Sequence, residues 1–256
     1  MNYASLLAIA HEAVDLAAEM VRTRGPGVVT EKQERDLVSE VDVAVEQAVR
    51  KHLEEATPEV GTLGEEEGLS GSADVVWALD PVDGTANFVH GLPLCAISLG
   101  LIDGGRSVLG VIDLPFLGSR YHAAVGDGAY RSETSVLSEA IVSLGDFAVG
   151  QDAGRRNQPR FALTEALAAK SQRVRMLGSS AVDLAWVADG KTDASIMLSN
   201  KPWDTAAGVI IAREAGALVV DARGKPHTPA ATSTIAAAPD VLEDILAAMS
   251  SVGELG

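Results

Sequence analysis

Residues 75–88 read Val-Val-Trp-Ala-Leu-Asp-Pro-Val-Asp-Gly-Thr-Ala-Asn-Phe, and no other stretch limits the possible folds as sharply. The apolar run from Val75 to Leu79 ends in a carboxylate; a proline follows, then a second carboxylate with glycine and threonine behind it. An unbroken apolar run bounded by Pro and Gly is the pattern of a buried strand, and open sheets present ligand-binding groups where such strands end. Pro81 fixes its own φ, so Asp80 and Asp83 are held on either side of the Val82 carbonyl. Three hard oxygen donors this close together suit Mg²⁺ better than zinc, which favours His or Cys. The N–H groups of Gly84, Thr85 and Ala86 come next, placed to open a helix or a nest that holds a phosphate oxygen. The plain alternative is an acidic turn in which Asp80 or Asp83 caps a helix. A calcium loop of the EF-hand type is excluded, because Val82 and Gly84 occupy positions where that loop needs side-chain oxygens.

Charge narrows the function classes. The formal net charge is −16, and no Lys/Arg run is longer than a pair such as Arg155-Arg156. Nucleic acid and anionic membrane surfaces are therefore not expected as partners. A small anionic substrate would need a cation to mediate its binding. Cys95 is the only cysteine, so no intrachain disulfide forms and a reducing cytoplasm is the expected location. It lies in an apolar run and reads as a packed structural thiol. His11, Glu12 and Asp15 interrupt the apolar residues near the N-terminus, which lacks the basic region of a secretory leader. The uncharged stretch from Gly84 to Ile102 contains Asn87, His90 and Pro93 and makes a poor membrane span.

Along the chain, apolar side chains at Leu6, Leu7, Ala10, Ala13, Val14, Ala17 and Val21 predict a helix over residues 4–22, closed by Gly25-Pro26-Gly27. Val28 to Thr30 reads as a short strand, Glu31 to Arg35 as a charged loop, and Ser39 to Glu55 as a second helix with Asp42 in its first turn. Asp42 is either an exposed residue favoured by the helix dipole or a site residue. The segment 61–68, Gly-Thr-Leu-Gly-Glu-Glu-Glu-Gly, is a solvated acidic turn or a further source of anionic oxygen for the Asp80 strand end. Apolar stretches at 94–102, 107–114 and 119–124 predict an antiparallel meander, with another turn at Gly126 to Tyr130.

From about Val136 the pattern changes to strands alternating with helices. Strands are expected at 140–144, 173–177, 193–198 and 217–221. Helices are expected at 161–170, after Gly178-Ser179-Ser180 through Ala188, at 203–215 and at 241–249, with a polar loop from Gln151 to Arg160. Such alternation makes the second half α/β. The chain thus divides into an α+β half, 1–135, and an α/β half, 136–256. Asp204, in the first turn of the helix that Trp203 opens, is a cap or a ligand, and Ala206, Ala207 and Gly208 allow another backbone to approach closely. Gly178-Ser179-Ser180 is an ordinary helix start or a row of N–H groups facing a ligand. None of the five histidines falls in a metal or triad motif.

Taken together, Gly64-Glu65-Glu66, Asp80 to Phe88, Trp203 to Gly216 and the upstream Asp36-Leu37-Val38-Ser39 to Asp42 resemble the inositol monophosphatase family across roughly residues 30–220. The resemblance implies a layered α-β-α-β-α sandwich of the sugar-phosphatase type and a Mg²⁺-dependent, lithium-sensitive phosphomonoester hydrolase, forming a homodimer and acting on inositol monophosphate or a related small phosphate ester. It implies two or three Mg²⁺ ions. Glu65, Asp80 and the Val82 carbonyl would hold one, and Asp80, Asp83 and Asp204 another, with Glu65 helping to place a third. Thr85, hydrogen-bonded to Asp42, would orient the attacking water, with Glu65 also in the catalytic group. The Gly84 and Thr85 amides would bind the phosphate, Gly178, Ser179 and Ser180 would border the alcohol, and Asp83 and Asp204 would also contact the substrate. Where animal-type members place an inositol-binding glutamate, six residues before the Trp, this chain has Met197. A thioether is a weak acceptor. Met197 either redirects the choice of alcohol, with histidinol phosphate, fructose bisphosphate or a nucleotide 3′-phosphate as alternatives, or simply fills the core. A non-catalytic regulatory member would be expected to lack a ligand residue, and none is missing.

Overall fold

The computed structural model describes residues 3–128, 134 and 136–253. Recurring Ala, Leu and Val form α1 (Tyr3–Arg24), with Ala10, Ala13, Val14, Ala17 and Val21 buried. Gly25 and Gly27 follow it at φ 62° and 65°. The segment expected as one strand and a loop is a hairpin, β1 (Val29–Gln33) with β2 (Asp36–Ser39). Arg35 sits in its turn at φ 60°, a left-handed position that the charged sequence does not advertise. Next come α2 (Glu40–Ala56), β3 (Gly61–Gly64), β4 (Gly68–Ser70), β5 (Val75–Asp83) and α3 (Thr85–Val89). The expected meander is β6 (Ala96–Asp103), β7 (Arg106–Leu114) and β8 (Ser119–Ala124). The turn expected at Gly126 to Tyr130 runs into residues outside the described ones, as does position 135 at the boundary between the two halves.

The second half contributes β9 (Ile141–Leu144), α4 (Ala153–Ala168), β10 (Arg173–Arg175), α5 (Ser180–Ala188), β11 (Ala194–Met197), α6 (Pro202–Glu214), β12 (Leu218–Val220), β13 (Thr234–Ala237) and α7 (Leu242–Ser250). Two differences from the sequence reading stand out. Helix α4 begins at Ala153, inside the expected polar loop. Its Pro159 lies one turn and a half in, where the missing N–H removes a single ladder bond and the flanking turns persist. Strand β13 was not anticipated, because Thr-Ile-Ala-Ala has neither period-2 alternation nor a branched run; all four of its residues are buried.

Two sheets result. One has the order β4-β3-β5-β6-β7-β8 and the other β10-β9-β11-β13-β12. Helices α1 and α2 cover one face of the first sheet through a core that includes Val14, Val45, Val49, Trp77, Leu99 and Leu109. Helices α5 and α6 lie between the sheets: Ala181, Val182 and Ile211 pack on Ala96, Ile112 and Leu114, while Leu184 and Val209 pack on Met197 and Ala236. On the far side, α4 and α7 cover the second sheet with Leu163, Leu167 and Ile245. The layers are therefore α-β-α-β-α, as the resemblance implied.

The small residues of α6 serve the expected close approach. Gly100 and Gly110 are register partners on β6 and β7. A Cβ on Gly100 would lie 2.6 Å from the Ala207 nitrogen, and one on Gly110 would lie 2.6 Å from the Ala207 Cα. The start of α6, with Asp204, is thereby seated against the sheet that carries Asp80.

Candidate active site

Strand β5 delivers Asp80 and Asp83 as its sequence suggested. It pairs with β6 as far as Asp80 opposite Ser98, then slips register before Asp83 meets Ala96. Asp80 is 3% exposed, and its Oδ1 accepts a hydrogen bond of 3.1 Å from the Val82 N–H, a tight turn about Pro81. Gly84 stands at φ 88°, and a Cβ there would come 3.0 Å from the carbonyl oxygens of Gly178 and Leu94. Only glycine fits both constraints. Asn87 closes the junction, donating from Nδ2 to the Leu94 and Leu177 carbonyls at 2.7 Å each. The α3 loop of the first half and the Gly178 loop of the second are thus tied directly.

Asp83 and the start of α5 meet across that tie. The Asp83 Oδ2 accepts from Ser179 Oγ at 2.5 Å and from the Ala181 N–H at 2.6 Å. Ser179 is also the N-cap, its hydroxyl accepting from the Val182 N–H at 3.2 Å. The helix-start reading of Gly178-Ser179-Ser180 is the one seen: Ser179 caps α5, and the first donors of the helix face the Asp83 carboxylate. Burial, followed by the Glu65 charge, pushes the Asp83 carboxyl up to about 6 against the opposing pull of its hydrogen bonds.

Asp42 likewise serves two purposes. It is the third residue of α2 and forms a capping box, its Oδ2 accepting from the Ser39 N–H at 3.0 Å and from the Ser39 hydroxyl. The other oxygen, Oδ1, lies 3.0 Å from Thr85 Oγ1, which is also 3.1 Å from the Val82 carbonyl. Asp42 is fully buried rather than exposed, and burial raises its pKa despite four hydrogen bonds that pull it down.

Asp204 caps α6, its Oδ2 accepting from the Lys201 N–H at 2.6 Å. Its proximity to Asp80 follows from the sheet. Ser98, the register partner of Asp80, places its hydroxyl 3.4 Å from the carbonyl of Trp203, the residue before Asp204. Burial and then the Asp83 charge raise the Asp204 carboxyl to about 7. Asp80 is raised well above the ordinary carboxylate value by burial, with Glu65, Asp83, Asp204 and Asp42 each adding like charge. Acidic side chains from three remote segments, and one from the same strand, therefore act on this one buried group.

Glu65 lies in the turn between β3 and β4, and a framework that sequence reasoning missed supports that turn. Buried Glu46 on α2 accepts from the Glu66 and Glu67 N–H groups at 2.8 and 2.9 Å and from Arg50 Nε at 2.9 Å. Arg50 in turn donates to the Thr62 carbonyl at 3.2 Å and to Ser70 Oγ at 3.0 Å. Glu46 and Arg50 stand four apart within an ordinary-looking charged helix, so their burial had no local signal. Glu46→Ala is expected to destabilise the fold by about 3–5 kcal/mol, since it strands Arg50 in the interior, and the double variant Glu46→Leu/Arg50→Met to recover most of that loss. Urea unfolding measures both.

At the tip of the same turn, Lys32 from the hairpin reaches Glu65 at 2.9 Å and Glu66 at 2.6 Å. Among the described residues, no three His, Cys, Asp or Glu side chains are already gathered tightly enough to hold a metal ion. Glu65 is turned to Lys32, Asp83 to α5, Asp204 to Lys201 and Asp42 to Thr85. The donor set nevertheless fits a hard divalent cation. Asp80 and Asp204 each spend one oxygen on a backbone N–H and keep the other, and the cluster buries like charge that a cation would neutralise.

Beside the carboxylates lies a cavity of about 190 Å³ whose wall includes Asp83, Gly178, Ser179, Ser180, Asp183 and Met197. Met197 also packs against Leu184 and Val209, so it fills the core while facing the cavity. Asp183 was not singled out by sequence. It is 1% exposed, its Oδ1 has no hydrogen-bond partner among the described residues, and burial raises its pKa well above the usual range. Its only signal was a lone acid inside the apolar run Ala181 to Ala188. Cys95 is buried as expected, and burial lifts its thiol to about 12, out of range of nucleophilic use. No helix among the described residues is long and apolar enough to cross a membrane.

Comparison with known proteins places this geometry. The pattern of the "Inositol monophosphatase family" matches residues 2–254. "Inositol-1-monophosphatase ImpA" of Mycolicibacterium smegmatis is 37% identical over 259 aligned positions, covering 98% of this chain and 94% of that protein. "Fructose-1,6-bisphosphatase/inositol-1-monophosphatase" of Thermotoga maritima is 34% identical over 198 positions, 75% of this chain and 73% of that protein. The solved inositol monophosphatase from Anabaena (Nostoc) superposes with a TM-score of 0.87 at 31% identity, covering 100% of this chain and 99% of the other. A match that runs nearly end to end, on a fold with the same layers, means that the chain belongs to the inositol monophosphatase family and is a phosphatase, a phosphoric monoester hydrolase.

Proposed function

We propose that the protein hydrolyses the phosphate monoester of a small polyol or sugar in a Mg²⁺-dependent reaction, with inositol monophosphate the first substrate to test. The observation that carries this reading is the buried Asp80 carboxylate, surrounded by the charges of Glu65, Asp83, Asp204 and Asp42. Such a cluster repels a phosphate dianion unless divalent cations reverse the field. In this reading Glu65, Asp80, the Val82 carbonyl, Asp83 and Asp204 hold two or three Mg²⁺ ions. When bound, the ions acidify water and offset charge on the entering and leaving oxygens.

The chain's own groups supply the rest. The Gly84 and Thr85 N–H groups, at the start of α3, point donors at the phosphate. Thr85 has one hydroxyl proton. Given to Asp42 Oδ1, it leaves the Thr85 lone pairs to accept from a water and hold it for in-line attack. Glu65 flanks that water, and Gly178, Ser179 and Ser180 border the alcohol. Residues 1–135 thus carry most of the proposed ligands, and residues 136–256 complete the site with Asp204 and the Gly178 loop. The same reading carries a cytoplasmic homodimer and inhibition by millimolar lithium, checked by sedimentation and by rate assays.

Phosphate release from inositol 1-phosphate, fructose 1,6-bisphosphate, histidinol phosphate and adenosine 3′-phosphate, with and without Mg²⁺, tests the function. Release that needs Mg²⁺ and favours the polyol or sugar esters is expected. Release independent of divalent ions would overturn the proposal. A pH experiment checks the ligands separately. The carboxyls of Asp83 and Asp204 are raised in the folded state, to about 6 and about 7. Their favourable contribution to folding is therefore present below the unfolded carboxylate value of about 4 and is lost as pH rises through those values. A cation that takes the place of those protons stabilises more as they leave. The Mg²⁺-induced rise in Tm is expected to be larger at pH 8 than at pH 5, measured by calorimetry; equal shifts would remove these residues from the ligand set.

A further inference from the structure

The cavity beside Asp83 does not end at Met197. It adjoins a larger one of about 580 Å³, and Asp146, Arg160 and Ser199 line both. Into that shared wall Arg160 brings α4, the helix that the sequence reading began too late. Arg156 and Arg160 are four residues apart on it, hence on one face, and both line the larger cavity. The stem of Arg160 lines an apolar cleft with Leu144, Leu163 and Ile196, and its Nη1 donates to the Asp146 carbonyl at 2.8 Å. That anchor directs the guanidinium to the junction of the two cavities.

Neither arginine has an acidic partner within ion-pair distance among the described residues. Two like charges at this spacing oppose each other, and partial burial together with Arg156 disfavours the charge on Arg160. The larger cavity also carries Glu34, Asp36 and Asp146. Glu34 lies 3.6 Å from Arg35, which lines the same cavity. Met197 and Arg160 both line the smaller cavity, with Asp83 and Ser179.

We propose that the preferred substrate carries a second anionic group on its alcohol portion, a phosphate or a carboxylate, which Arg160 and Arg156 bind at the outer end of the joined cavities. This rests on the phosphatase reading and refines it. A guanidinium binds either anion through paired N–H donors, so both sources share one chemistry. Arg160, already anchored, supplies the fixed contact; exposed Arg156 adds charge at the mouth.

The test compares kcat/KM of the wild type, Arg160→Gln and Arg160→Lys on three esters: inositol 1-phosphate with a neutral alcohol, fructose 1,6-bisphosphate with a second phosphate, and 6-phosphogluconate with a carboxylate. In Arg160→Gln the ratio of charged-alcohol to neutral-alcohol kcat/KM is expected to fall roughly 10- to 100-fold, the weight of a charge-assisted hydrogen bond, mainly through KM. Arg160→Lys should restore part of it. The ester whose ratio falls identifies the second group as phosphate or carboxylate. A ratio unchanged for both charged esters would overturn the proposal. Should the wild type turn over none of the three, the proposed polyol or sugar substrate class fails. Calorimetric titration with fructose 1,6-bisphosphate and 6-phosphogluconate in the presence of Ca²⁺ then decides the subsite. Binding weakened at least 10-fold by Arg160→Gln would sustain it, and equal affinity or no binding would reject it.

Discussion

Asp83→Asn should lower kcat by about three orders of magnitude, roughly 4 kcal/mol of transition-state stabilisation, while leaving the fold intact. The substitution is isosteric, and the amide oxygen can still accept from Ser179 Oγ and the Ala181 N–H, so the tie between β5 and α5 survives. What disappears is one charge of the cluster around Asp80. Metal-free protein is therefore expected to melt at the same temperature or slightly higher, because a buried like-charge repulsion is gone. With Mg²⁺ the order reverses, since a lost ligand weakens the ion's stabilisation of the folded state. Steady-state kinetics and paired melting curves give the result. Near-normal turnover, or a variant that unfolds without metal, would show Asp83 to be a structural cap and not a ligand.

Thr85→Val should reduce kcat about 10²- to 10³-fold with little change in KM, the usual weight of one positioned polar group acting on the reacting atoms. Valine keeps the shape and removes the hydroxyl that spans Asp42 Oδ1 and the Val82 carbonyl. Because Asp42 is fully buried, its orphaned oxygen should also cost about 1–3 kcal/mol of stability, so the variant needs a urea midpoint beside its kinetics. Thr85→Ser restores the hydroxyl and should recover most of the rate. A variant with lowered stability and wild-type kcat would confine the Thr85–Asp42 contact to structure.

Comparing elements explains what was legible. Strand β5, the caps at Ser39 and Ser179 and the meander were readable because each obeys a local rule: an apolar run stopped by Pro and Gly, a small hydroxyl before a helix, alternation between turns. The hairpin around Arg35, the early start of α4 and strand β13 were not. A left-handed arginine, a proline tolerated inside a helix and a buried strand rich in alanine each run against local preference, and packing overrides it. At the site, Asp80, Asp83 and Thr85 declared themselves through spacing, as neighbours in one turn must. Asp42 and Asp204 allowed two readings each, and their geometry shows capping contacts in addition to proximity to the cluster.

Local chemistry written in the chain determined the strand end with its two aspartates, the helix starts that present N–H groups and, through the spacing of those segments, the family. The tertiary structure alone decided which charges are buried together. Burial is a property of everything that packs around a side chain, so nothing near Glu46, Arg50 or Asp183 in the chain could reveal that they lie in the interior. Likewise, only the seating of α4 beside the Gly145–Phe147 loop turned an unremarkable pair of arginines into a wall of the cavity, because electrostatic partnership depends on distance in space and not on distance along the chain.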